Sequence, residues 1–112
     1  MIIVEKNEGA KIAYEQIGTK IIFDDDLMLN LAKRQLDEPV HIDICYNKAR
    51  ALTIGTEDAW AYVAEIDIPP MEYEEVESEE ISTSEMGMGN EAERTPLPLD
   101  MDKVVMTLWA LK

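Results

Sequence analysis

Apolar residues recur at every second position along much of this chain, in short runs that end at turn residues. That period is the pleat of a half-buried β-strand, and it constrains the fold more than any other feature. Ile2 and Val4 alternate with Ile3 and Glu5, and Asn7-Glu8-Gly9 then supplies a turn with Gly at the left-handed position. Residues 10 to 16 follow, with Ile12 and Tyr14 on one face and Lys11 and Glu15 on the other. Gly18 marks a second turn, and Lys20 to Phe23 makes a third strand. Residues 59 to 68 place Trp60, Tyr62, Ala64, Ile66 and Ile68 inward, with Glu65 and Asp67 outward. Val104 to Leu111 is apolar on both faces, so it is either central in the protein or covered by another subunit.

Residues 40 to 46 and 50 to 56 read as a hairpin. A three-residue loop, Asn47-Lys48-Ala49, pairs Ile44 with Leu52 and Ile42 with Ile54, which leaves one face apolar. A two-residue turn would put Asp43 opposite Leu52, so burial favours the longer loop. Residues 24 to 36 (DDDLMLNLAKRQL) admit two readings. Leu27, Leu29 and Leu31 alternate as in a strand. At helical spacing, however, Asn30, Lys33 and Arg34 gather opposite an apolar arc, and the Asp run and Lys33-Arg34 suit the helix dipole. The helix is the preferred reading. The expected fold is mainly β: a single domain over residues 1–112, a small antiparallel sandwich or partly open barrel of about seven strands, with one short helix over about 25–36.

Charge is uneven along the chain. The 10 Lys+Arg face 24 Asp+Glu, for a formal net charge of −14. Nine Glu and no basic residue lie in 72–93, leaving the other 90 positions with a net of −5. With Pro69-Pro70 before it and Pro96 and Pro98 after, 71–96 reads as an acidic flexible internal loop. Nothing forms the basic face that phosphate contacts or anionic membranes need, so neither nucleic acid nor a membrane is an expected partner. One cysteine cannot form an intrachain disulfide, and MIIVEK lacks the parts of a signal peptide. A cytoplasmic protein is expected.

Candidate sites are few. His41, Asp43 and Cys45 project from one strand face and are types that ligate transition metals. Same-face neighbours stand roughly 6.5–7 Å apart, wide for three ligands on one ion, so an ordinary strand face is the simpler reading. The only His and only Cys would be roughly 13 Å apart on a straight strand, too far for nucleophile and base. No P-loop, G-x-S-x-G or G-x-G-x-x-G occurs, and Gly87-Met88-Gly89 lies among acids that repel phosphate. Asp24-Asp25-Asp26 lacks the spacing of a calcium loop and reads as a helix cap; Asp100-x-Asp102 reads as a turn. No catalytic residue, cofactor or metal is expected. Trp60 is expected in the core, whereas Val105, Thr107, Trp109 and Leu111 form an expected interface, since a terminal apolar strand can pair across a subunit boundary.

FDDDLMLNLAKR, then VHIDIC with YVAEIDIPPMEY, then PLDMDKVVMTLWAL beyond the acidic spacer together resemble small proteins carried in phages and prophages of Gram-positive bacteria. The resemblance covers most of the chain. It implies no activity and no catalytic residues, but a phage-related setting and an accessory structural role in virions. The leading expectation is a non-catalytic, oligomeric assembly domain acting by protein contact. Second comes an acidic decoy that mimics nucleic acid toward a basic partner, and third a metal-binding protein or enzyme.

Overall fold

The computed structural model describes residues 1–75 and 94–112. Its strands are β1 (Ile2–Glu5), β2 (Tyr14–Ile17), β3 (Lys20–Phe23), β4 (Leu27–Asn30), β5 (Val40–Asn47), β6 (Leu52–Ile54), β7 (Ala59–Ile68), β8 (Tyr73–Glu75), β9 (Arg94–Pro96) and β10 (Val105–Leu108). One helical turn, α1 (Leu31–Arg34), follows β4, and a 3₁₀ turn (Met101–Lys103) precedes β10. The protein is mainly β. A five-stranded sheet in the order β1-β10-β7-β5-β6 and a three-stranded sheet, β2-β3-β4, share one buried core; β8 and β9 form a separate ladder. Ile21, Phe23, Leu29 and Leu31 from the smaller sheet and its helical turn meet Ile44, Ile66 and Met106 from the larger one. The seven strands read from alternation are all present, and β4, β8 and β9 are additional. Every pairing is antiparallel except β1 with β10, which makes the large sheet mixed.

The helix expected over 25–36 is corrected to a single turn. Leu27–Asn30 is a strand paired with β3, with Phe23 opposite Leu27 and Ile21 opposite Leu29. Asp24 and Asp25 take left-handed backbone, φ +53° each, and close the turn between them. Asp tolerates that conformation better than most residues, so the acidic run is a hairpin turn and not a helix cap. The cap is Asn30, whose side chain accepts from the Lys33 amide. Burial at Leu29 and Leu31 with Met28 exposed is the strand period prevailing over the helical arc. Ile12 is buried but Tyr14 is exposed, so β2 starts later than the expected run from residue 10.

The β5–β6 hairpin keeps its faces but shifts register by two residues. Ile44 pairs with Ile54, Cys45 with Thr53 and Tyr46 with Leu52. The three-residue loop is Lys48-Ala49-Arg50: the Asn47 side chain accepts from the amides of Ala49 and Ala51, and Arg50 takes φ +67°. In β7, Ala64, Ile66 and Ile68 are buried as expected, but Trp60 and Tyr62 are not on the core face. The register with β5 breaks between Ile44 and Cys45, where Ile44 faces Ala64 and Cys45 faces Tyr62. Val63 is the extra residue of that bulge. It reverses the phase of the residues just before it, so Ala61 and Val63 turn inward and Trp60 outward, and a second register shift follows at Trp60, between Tyr46 and Asn47.

β10 is central. Val104, Met106 and Leu108 are buried, and both strand edges are paired within the chain, to β1 and β7. Pairing of this strand with another subunit through its edges is therefore not available. The expected acidic loop of 71–96 has paired arms, with Tyr73 opposite Pro96 and Glu75 opposite Arg94. Residues 76–93, with most of the acids on which the decoy reading rests and with Gly87-Met88-Gly89, lie outside the described residues.

Candidate functional site

The face of the large sheet turned away from the core gathers four ionisable groups, His41, Asp43, Glu65 and Asp67, on β5 and β7. Antiparallel pairing of β5 and β7 sets His41 directly opposite Asp67 and Asp43 directly opposite Glu65. Side chains of directly opposed residues start only about 4.5–5.5 Å apart, so the four converge. His41 Nδ1 lies 2.6 Å from Asp67 Oδ1, and Nε2 lies 2.9 Å from Asp43 Oδ1 and 3.5 Å from Glu65 Oε1. The imidazole is 47% exposed, Glu65 21%. The hydrogen bond to Asp67 holds the His41 pKa above its ordinary 6.5; partial burial opposes this, and Asp43 adds to the rise. Two carboxylates directly opposed, as Asp43 and Glu65 are, repel one another. A protonated His41 between them offsets that repulsion.

Of the three candidate metal ligands, the structure brings His41 and Asp43 together and removes Cys45. Cys45 is completely buried, outside the main core cluster. Burial, with Asp43 and Glu65 nearby, pushes its thiol pKa up, the opposite of what a nucleophile needs. Glu65 takes its place: one ligand atom each from His41, Asp43 and Glu65 lie within 4.8 Å of one another. Both Glu65 and Asp67 were legible as outward residues of β7. What the alternation pattern lacked was the neighbour relation, since β5 pairs with β7 on one edge and β6 on the other.

Aromatic residues adjoin this cluster. Trp109 donates its indole N–H to Glu65 Oε2 at 2.6 Å, and its ring lies 5.0 Å from that of Tyr62 at a 41° tilt. Arg50 stacks on Trp60 at 3.8 Å, with Lys112 at 5.4 Å, and Lys6 is 5.4 Å from the Trp109 ring centroid. Trp60, Tyr62, Trp109, Ala110 and Leu111 line an open groove of about 570 Å³ between β7 and the segment after β10. Of the expected interface residues, Val105, Thr107 and Trp109 are half-buried and Leu111 is exposed. Beyond β10, Ile2, Ile3 and Val4 of the edge strand β1 are all exposed.

Comparison of the chain with known protein families, with curated proteins and with solved structures gave no match. Among the described residues no helix is long and apolar enough to cross a membrane.

Proposed function

We propose that the chain is a non-catalytic assembly domain that pairs with a second copy of itself along β1. The observation that carries this reading is the state of that strand: it ends the large sheet, and Ile2, Ile3 and Val4 are exposed in succession. Soluble proteins guard such an edge with charge, proline, a bulge or a covering segment. Residues 2–4 carry none of the first three, and among the described residues β1 pairs with β10 alone. An antiparallel pairing of two copies centred on Ile3 would set Ile3 on Ile3 and Ile2 on Val4. The surroundings do not oppose it, because Glu5, Lys6, Glu8 and Lys11 sum to zero charge despite the acidity of the whole. The same edge-to-edge contact suits an accessory structural protein of a phage particle, the setting that the sequence resemblance implies.

Sedimentation velocity from micromolar to near-millimolar protein tests the proposal. A monomer–dimer equilibrium is expected, with the dimer lost on Ile3→Lys while circular dichroism stays unchanged. A monomer at every concentration, or a dimer indifferent to Ile3→Lys, would remove the β1 reading.

A further inference from the structure

We propose that His41, Asp43 and Glu65 bind one first-row divalent transition ion, with zinc as the reference case. This does not depend on pairing through β1. Imidazole nitrogen with carboxylate oxygens is a donor set of such ions, whereas calcium and magnesium take oxygen alone. Ligand atoms bound at about 2.0–2.1 Å around a four-coordinate ion stand roughly 3.3 Å from one another. Nε2 is 2.9 Å from Asp43 Oδ1 and 3.5 Å from Glu65 Oε1, and the set lies within 4.8 Å. Small side-chain rotations complete the geometry.

Two further contacts hold the ligands from behind. Asp67 lies 2.6 Å from Nδ1 and can hold a proton there, so that Nε2, which faces Asp43 and Glu65, is the nitrogen placed to take an ion once it gives up its own proton. A carboxylate on the far nitrogen is the usual support of a metal-bound histidine. Trp109 fixes the second oxygen of Glu65, so that Oε1 is the one turned inward. Nε2, Asp43 Oδ1 and Glu65 Oε1 thus face one another across a gap that a single ion can fill. No lysine or arginine supplies the charge: among the described residues none pairs with Asp43, Glu65 or Asp67. The positions beside them in the ladder are Val105, Thr107 and Gly55. Half exposure leaves the remaining coordination positions to water.

His41 is the chain's single histidine, so its ring protons report on the site without assignment. Chelator-treated protein is titrated with Zn²⁺ at neutral pH, following heat and the His41 ring signals together. One equivalent is expected to bind with a matching shift of those signals. His41→Ala should abolish that event, and Asp67→Asn should weaken it about 10- to 100-fold, as loss of an outer-shell partner does. Binding that leaves the His41 signals unmoved, or that survives His41→Ala, overturns the proposal, because it places Zn²⁺ on scattered carboxylates. So does the absence of binding up to millimolar Zn²⁺. The wild-type ring signals decide the matter even if a variant misfolds.

Discussion

The bond between Trp109 and Glu65 ties the aromatic end of the outer face to the charged end, and a double-mutant cycle measures it. Trp109→Phe removes the indole donor but keeps a ring to pack on Tyr62, whose centroid lies 5.0 Å away. At 2.6 Å the indole N–H meets a carboxylate, and hydrogen bonds to charged groups contribute about 1.5–3 kcal/mol. Glu65 is 21% exposed, so water competes for the freed oxygen and the expected coupling falls to about 1 kcal/mol. Glu65→Ala loses the same bond but also relieves repulsion with Asp43 directly opposite, so its own cost should be the smaller. Urea unfolding of the wild type, both single variants and the double variant, followed by circular dichroism at neutral pH, gives the coupling directly. With a slope of about 1–3 kcal/mol per molar urea, a loss of about 1 kcal/mol for Trp109→Phe should lower the midpoint by roughly 0.3–1 M. A coupling below about 0.3 kcal/mol would refute the argument, since non-interacting sites add to within that margin. Glu65 would then not be held from behind, and the site would lose one of its two supports.

The remaining predictions concern other parts of the same face and its borders. Gly9 has φ +131°, and a Cβ built there would stand 2.9 Å from the Ala110 Cβ, so Gly9→Ala should destabilise by about 1–3 kcal/mol. Gly18→Ala, at φ +62° with open space around it, should cost only about 1 kcal/mol; thermal melts that reverse this order would contradict the close docking of the two segments. An NMR titration should place the His41 pKa above 6.5, and Asp67→Asn should lower it, since Asp67 contributes most to the rise. Because the folded value is raised, the stabilisation it brings is complete below pH 6.5 and fades as pH climbs through the folded pKa. Metal-free protein should therefore lose urea resistance across that window, and His41→Gln should not. Cys45 is buried with a raised thiol pKa, so a disulfide reagent should leave native protein untouched and react once denaturant is added.

Strand alternation was enough to find β1, β3, β5, β6, β7 and β10 and the core side of most of them. Its failures have local physical causes. Asn47 and Arg50 together decide where the β5–β6 loop closes, and a side-chain acceptor serving two amides has no period to read. Residues 24–36 satisfied two periods at once; pairing with β3, a tertiary fact, selected the strand. Trp60 fell out of phase because Val63 is inserted against β5, and nothing in AYVAE marks a bulge. The candidate site was half legible for a related reason. Residues on one strand are too far apart along it to share an ion, whereas residues directly opposite on neighbouring strands are not. His41 and Asp43 were visible from β5 alone, but Glu65 and Asp67 joined them only once β5 and β7 were neighbours.

Where the cations go explains why the acids of the outer face are left to His41. Arg50, Lys112 and Lys6 lie over the rings of Trp60 and Trp109, and Lys11, Lys48 and Lys103 pair with Glu5, Asp58 and Glu72 at the borders of the fold. Lys33 and Arg34 sit in the last turn of α1, beyond the smaller sheet. The strand positions that could have offered Asp67, Glu65 and Asp43 a lysine hold Val105, Thr107 and Gly55 instead. The Val63 bulge contributes as well: by turning Trp60 and Tyr62 outward, it sets Trp60 in reach of Arg50 and Lys112. Among the described residues, three carboxylates thus share one imidazole with no lysine or arginine paired to them. A protein domain that needed these acids merely for solubility would gain more by spreading them, since closely set like charges cost stability and add nothing to net charge. On the proposal of an ion site, Asp43 and Glu65 face Nε2, with Asp67 behind on Nδ1, to capture a cation, and His41→Ala in metal-free protein separates that from plain surface charge. If the cluster is built to hold a cation, removing the imidazole leaves uncompensated repulsion and lowers stability more at low than at high ionic strength. If the acids are only a solvated face, the substitution is neutral at both.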